Sequence, residues 1–254
     1  MATSLDDADR CSKAPPSACP SAAFELCELT SSLTFADLAS VISALELAAK
    51  TGGASAALFV WAITDDDHGW YRSIAALDPA WTASALRRLQ SNPCNWLAHA
   101  ARSSEPLLVQ QSLDEREAGD QDDNHCARAR AVWLIPAPLP QGSDALGLLM
   151  LAGEDAHCLD AISRLMPVYR ALALGMTDWF QRRGRDELVQ RAHLTDRDLE
   201  LLRRESLGQG SKQIASALNT EPKTIDCRFH RLNVRLGVAS RRDAVWLCKR
   251  YGLL

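Results

Sequence analysis

The stretch EPKTIDCRFHRLNVRLGV, residues 221–238, decides how the C-terminal quarter of this chain is read. Stepping by 4, 3 and 4 from Ile225 gives Ile225, Phe229, Leu232 and Leu236, an apolar stripe at helical spacing. The same steps from Thr224 give Thr224, Arg228, Arg231 and Arg235, about 100° round the axis from the first stripe. A helix over these residues therefore buries one face and offers one hydroxyl and three guanidiniums on another.

The flanking sequence supplies the rest of a small helical module. Thr195 is an N-cap candidate with Asp198 three residues on, and Leu194 and Leu199 stand at hydrophobic-staple positions. Gly208 and Gly210 break that first helix. Ser211 is expected to cap a short second helix, KQIASAL, with Asn219 and Thr220 as the turn and Pro222 opening the third helix. Residues 241–251 read as a fourth. Short helix, tight turn and longer basic helix make a helix-turn-helix, whose second helix enters the major groove of double-stranded DNA. On that reading Thr224, Arg228, Arg231 and Arg235 face the groove or its phosphate walls, and Lys212 and Lys223 stand at helix starts where phosphate is bound. A solvated face on an ordinary bundle would show a similar stripe. Asp226 is the exception on this helix: it either accepts from a cytosine amino group or is held by Arg203, Arg204 or Lys223.

Charge separates this module from the rest. From Gln190 onward there are 13 Lys plus Arg against 7 acids, a balance of +6, so residues 1–189 carry −10 within a chain of net charge −4. Only the basic end is suited to a polyanion.

Ahead of it, residues 1–20 are polar and Pro-rich and are expected to be disordered. Residues 35–50 read as a helix ending at Gly52-Gly53, and 54–63 as a buried strand. A loop over 64–70 precedes two helices, one in DPAWTASALRRLQ and one in NWLAHAARSS. LLVQQS is an edge strand, 114–126 an acidic loop, and 131–153 two strands joined by a Pro/Gly/Ser turn. Residues 158–183 read as one long helix, and 182–193 as a linker hinged at Gly184. The expectation is an α+β chain: an α/β/α sandwich over 21–181, then an all-α four-helix helix-turn-helix domain over 194–254. The long helix carries more apolar residues than one core stripe needs, so it is either a dimer contact or packs wholly on the sheet.

Several function classes lack their motifs. No P-loop, Gly-x-Ser-x-Gly, His-Glu-x-x-His or dinucleotide glycine pattern is present, so no catalytic residue is assigned and no enzyme is expected. The eight cysteines form no Cys-x-x-Cys pair, and neither a metal centre nor a bound cofactor is expected. No run of 18 apolar residues and no signal peptide appear, so the protein is expected in the cytoplasm.

LTDRD, GQGSKQIASAL, KTID, RLGVASRRDAV and the final GLL, in that order and spacing, resemble the LuxR-type helix-turn-helix of bacterial transcription regulators. Three residues depart from the usual pattern: Glu221 stands in place of a capping Ser, Asp226 in place of a basic or polar residue, and Arg228 in place of His. A phosphoacceptor receiver would need a late-strand lysine, and no lysine occurs between Thr51 and Gly210. The N-terminal part instead resembles the autoinducer-binding domain of quorum-sensing regulators through LDPAWTASALRRLQSNPCNWLAHA and the strand pair of 131–153. That resemblance implies an acyl-homoserine lactone or related small signal, with Asp78 accepting from the ligand amide and Trp96 walling the pocket. A Trp and a Tyr that the family places 13 and 9 residues before Asp78 fall here on Asp65 and Gly69; Trp61, Trp70 and Tyr71 are near enough to substitute if the loop is shifted, and Trp61 and Tyr71 are taken as the replacements. Asp78 is equally a helix N-cap ahead of Pro79, and both roles can hold together. The resemblance further implies a homodimer on an inverted-repeat operator and contact with RNA polymerase. The competing expectation is a ligand-independent regulator whose N-terminal domain serves only dimerisation or protein interaction.

Overall fold

A computed structural model describes residues 24–28, 30, 34–63, 70–90, 95–110, 131–138 and 145–254. The disordered start expected over 1–20 and the acidic loop over 114–126 lie outside the described residues. Among the described residues the first domain is built on five strands: β1 (Ala56–Ile63), β2 (Trp70–Leu77), β3 (Leu107–Gln110), β4 (Ala131–Pro138) and β5 (Ala145–Gly153). Their order across the sheet is β2-β1-β5-β4-β3, and every neighbouring pair is antiparallel.

Strands β1 and β5 sit in the interior of this order, and every one of their residues is buried. That explains their unbroken apolar runs: both faces of the sheet are covered, so neither needs a polar alternation. The two-residue period divides β1 between two cores. Ala57, Phe59, Trp61 and Ile63 pack with α1 (Leu38–Gly52), α4 (Ala156–Arg164) and α5 (Met166–Arg191), whereas Ala56, Leu58, Val60 and Ala62 pack with α2 (Pro79–Gln90) and α3 (Asn95–Arg102). Tyr169 ties α5 to α1 through its ring and a hydroxyl that donates to the Ala48 carbonyl at 3.2 Å. With a buried polar tip satisfied, its bulk stabilises the core without a desolvation cost.

The second domain has four helices, α6 (Asp196–Ser206), α7 (Ser211–Ala217), α8 (Pro222–Leu236) and α9 (Arg241–Arg250). The four residues of the apolar stripe, Ile225, Phe229, Leu232 and Leu236, are all buried, with Leu201, Leu202, Ile214, Ala244 and Cys248 around them. Thr195 and Asp198 form the expected capping box: the Thr195 hydroxyl accepts from the Asp198 N–H, and the Asp198 carboxylate accepts from the Thr195 N–H.

Four expectations are corrected. Residues 71–77, unassigned in the sequence, belong to β2; its mixed burial hides the alternation that marks a strand. The long helix is two, because the chain turns at Leu165 before Pro167 opens α5. The expected linker is helical through Arg191, and Gly184 lies buried inside it rather than breaking it. Gly210, not Ser211, occupies the N-cap of α7, and the Gln213 side chain accepts from its N–H at 2.9 Å. The apolar surplus of 158–183 is used up within the chain: Tyr169, Leu172, Met176, Trp179 and Phe180 are buried, and Leu174 alone among its large apolar side chains is exposed.

Candidate nucleic-acid interface and candidate ligand face

Helix α8 presents three distinct sides. Opposite its buried stripe lie Lys223, Cys227, His230 and Val234, all exposed, about half a turn away. Thr224, Arg228 and Arg235 lie on one flank, about a quarter turn from the buried stripe, with the exposed Arg231 between that flank and the outer side. This flank forms one wall of an open cleft of about 730 Å3, whose other wall is the first turns of α6 with Thr195, Arg197, Asp198 and Leu201. The cleft thus gathers Arg197, Arg228, Arg231 and Arg235 with His230 on its rim.

These arginines are not equivalent. Arg235 donates to the His193 carbonyl at 2.7 Å and pairs with Asp198 at 2.9 Å, so it fastens the end of α8 to the start of α6. Burial alone would raise the Asp198 carboxyl, but Arg235 and the Thr195 donors outweigh it and hold it below the usual carboxylate range. Arg235, expected among the DNA contacts, is therefore committed within its own domain. Among the described residues Arg228 forms no ion pair, and Arg231 makes only a long bond from Nε to the Cys227 carbonyl, 3.4 Å away. Lys212 and Lys223 are exposed and unpaired among the described residues, as phosphate ligands require.

On the other flank the acid finds its partners. Asp226 accepts from the Ser211 hydroxyl at 2.6 Å and from Arg241 at 2.5 Å, and these two, in that order, lower its carboxyl. Arg241 also lies 4.3 Å above the Phe229 ring. The partner is thus Arg241 of α9, not Arg203, Arg204 or Lys223: spacing along one helix cannot report which cation the next helix brings across. Ser211, freed from capping, ties α7 to α8 through this acid.

The four candidate ligand residues do not converge. Leu77 takes a left-handed φ of 71°, at a cost on the order of 1–2 kcal/mol for a non-Gly residue, and this turn swings Asp78 onto the start of α2. There Asp78 Oδ1 accepts from the N–H groups of Ala80 at 2.9 Å and Trp81 at 3.2 Å, an N-cap. Trp96 is buried on the same side of the sheet, with the Arg88 guanidinium 5.3 Å from its ring centre. Tyr71 packs against the same core, its hydroxyl accepting from Gln90. Trp61 is on the opposite face, stacked on Phe180 and edge-on to Tyr251. It is separated from the other three by the sheet itself, because odd positions of β1 point away from α2 and α3. The small side chains of Ala56, Ala62, Ala85, Ala100 and Ala152, with Trp81 and Trp96, define this α2/α3 face.

Cys158 and Cys248 are buried, which pushes their thiols up to about 11 and about 12 and leaves them unreactive. Among the described residues no three His, Cys, Asp or Glu side chains stand together as metal ligands, and no helix is long and apolar enough to cross a membrane.

Residues 192–248 match the family described as bacterial regulatory proteins, luxR family. No curated protein matches the chain. Among solved structures, Escherichia coli SdiA in space group P6522 aligns with a TM-score of 0.58 at 16% identity, over 92% of this chain and 98% of that one. SdiA in complex with octanoyl-rac-glycerol aligns with a TM-score of 0.61 at 18% identity, over 96% of each chain. At these identities the shared property is the fold, a sheet domain followed by a helical domain in one arrangement.

Proposed function

With a DNA-binding domain of the LuxR family at its C-terminus, we propose that this protein is a transcriptional regulator that binds an inverted-repeat operator as a homodimer, under control of an acylated small signal. The observation that carries the DNA half is the set of cations on the family-matched helix-turn-helix: among the described residues Arg228 and Lys223 of α8 and Lys212 of α7 have no ion pair, and Arg231 has only its long bond to the Cys227 carbonyl. Arg231 and His230 reach base edges, Arg228 and Arg197 line the phosphate wall, and Arg235 positions the helix. One such module covers too few bases for genomic specificity, so two are needed, with half-sites about 34–36 Å apart. We place the regulator in the cytoplasm, where it would meet both DNA and RNA polymerase. Footprinting the full-length protein on selected DNA tests this reading; an inverted repeat supports it, and protection of a single half-site at full affinity refutes the dimer.

The ligand half rests on the α2/α3 face. A neighbour of the same fold holds octanoyl-glycerol, an acyl chain with a polar head, and Trp96 with the alanine-lined core offers matching apolar walls to an acyl-homoserine lactone or related molecule. On this reading Asp78 accepts from a ligand amide while its Oδ1 also caps α2. A ligand-independent regulator is the second reading, favoured by that same capping role. Melting the full-length protein with a panel of acyl-homoserine lactones and octanoyl-glycerol separates them. A binder present at 100 times its Kd contributes about 2.7 kcal/mol, or about 5–10 °C in Tm for a chain of this size. No shift with any member of the panel favours the second reading.

A further inference from the structure

We infer that the end of the chain is a latch: the turn closing α9 locks the DNA-binding domain onto β1 and α5, so that the two domains unfold and move as one body. Tyr251 belongs to both cores, packing with Trp61, Phe180 and their neighbours on one side and with Leu253 and Cys248 on the other. Its ring meets Trp61 edge-on, centroids 6.1 Å apart. Gly184 explains itself here. A Cβ on it would lie 3.1 Å from the Trp61 ring and 3.3 Å from the Tyr251 ring, so the helix lacks a side chain at the one place where both rings rest on its backbone.

The next residue completes the fastening. Gly252, with φ 66°, terminates α9 in the left-handed region, and a Cβ there would come within 2.9 Å of the Gln181 amide. Gln181 is buried on α5 and donates to the Arg250 carbonyl at 3.4 Å. Nearly two turns further along α5, Glu187 pairs with Arg183 on its own helix at 3.0 Å and with Arg72 of β2 at 2.5 Å, and the second pair ties the expected linker to the sheet edge. Residues 181 and 184 thus meet the closing turn of α9, while Glu187 fixes the same stretch of α5 to the sheet. The inference rests on this packing alone and holds whether or not the sheet takes a ligand. It also gives Trp61 a role that the ligand face could not: its neighbours on β1, Val60 and Ala62, face α2 and α3, so the strand that borders that face is the strand that touches the latch.

The experiment is urea unfolding of the full-length protein followed in parallel by tryptophan fluorescence and far-UV circular dichroism, with trypsin cleavage in 182–191 as a second readout. Six of the seven tryptophans precede residue 190, so fluorescence reports mainly the sheet domain while dichroism weights both. Wild type is expected to give coincident curves and slow cleavage. Tyr251→Ala and Gly184→Leu are expected to separate the two curves and expose the arginines of 182–191, and Tyr251→Phe to restore wild-type behaviour. Leucine is a good helix former, so loosening by Gly184→Leu cannot come from helix propensity. Wild-type curves that already separate, or cleavage in 182–191 as fast as in Tyr251→Ala, would overturn the latch.

Discussion

The DNA-binding domain offers most of its functional side chains from a single fifteen-residue helix, whereas the candidate ligand face is put together from β1, β4, β5, α2 and α3. In the first, position round one axis decides which side chain is buried, braced or free. In the second, each residue's place depends on which strand pairs with which. The difference teaches where a substitution acts: on α8 a change of one residue changes either stability or DNA contact, while on the ligand face the two are joined, since Asp78 caps a helix with the group proposed to hold the ligand.

The sharpest way to break the comparison is Phe229→Ala, which removes a fully buried ring and the seat of Arg241. A loss of about 3–5 kcal/mol of stability is expected, and with α8 no longer seated DNA binding should be abolished. Calorimetry showing the substitution tolerated would mean α8 is not held by that stripe. On the ligand face, Asp78→Asn is expected to keep Tm unchanged, because Asn caps helices as well as Asp. Affinity for whichever panel member shifts Tm should nonetheless fall by about 1.5–3 kcal/mol, ten- to a hundredfold, as the charged acceptor is lost. Unaltered affinity in calorimetric titration would leave Asp78 a cap alone.

Smaller effects test the bracing of α8. Arg235→Ala should lower stability by about 1 kcal/mol, the part-exposed pair with Asp198 being discounted for solvent. The acid limb sharpens this. Because the Asp198 carboxyl is lowered in the folded state, its contribution is present above the ordinary carboxylate pKa and is lost as pH falls through the folded value. Asp198→Asn should therefore flatten the loss of stability below about pH 4 in urea titrations at stepped pH. An unchanged acid limb would show that Asp198 carries no such linkage.

Much of the DNA-binding domain was readable from sequence because its signals are local: the stripe of Ile225, Phe229, Leu232 and Leu236 lies within about three helical turns, and the Thr195–Asp198 box within one. What escaped came from contacts across elements. Arg235 and Arg231 are alike by spacing, and only the approach of Asp198 separates them. The outermost side of α8, with Cys227, His230 and Val234, was within reach of the same wheel had it been read opposite the apolar stripe instead of beside it. Trp61 was misplaced for a different reason. It stands 17 residues before Asp78 where the family spacing is 13, and the two-residue period of β1 sends it to the other face. Gly184 looked like a hinge because its neighbours are charged; its meaning depends on Tyr251, 67 positions away and unseen by any local pattern.

The central claim is that DNA is met by the unbraced arginines of α8 while the braced one only positions the helix. Its most direct test is equilibrium binding of the full-length protein to its footprinted operator across a range of salt, for wild type, Arg228→Ala, Arg231→Ala and Arg235→Ala. The account expects Arg231→Ala to lose about 1–3 kcal/mol of specific affinity, Arg228→Ala to reduce the salt slope by about 1, and Arg235→Ala to leave that slope unchanged. Unchanged affinity and slope for Arg228→Ala and Arg231→Ala, with the slope altered only by Arg235→Ala, would contradict it.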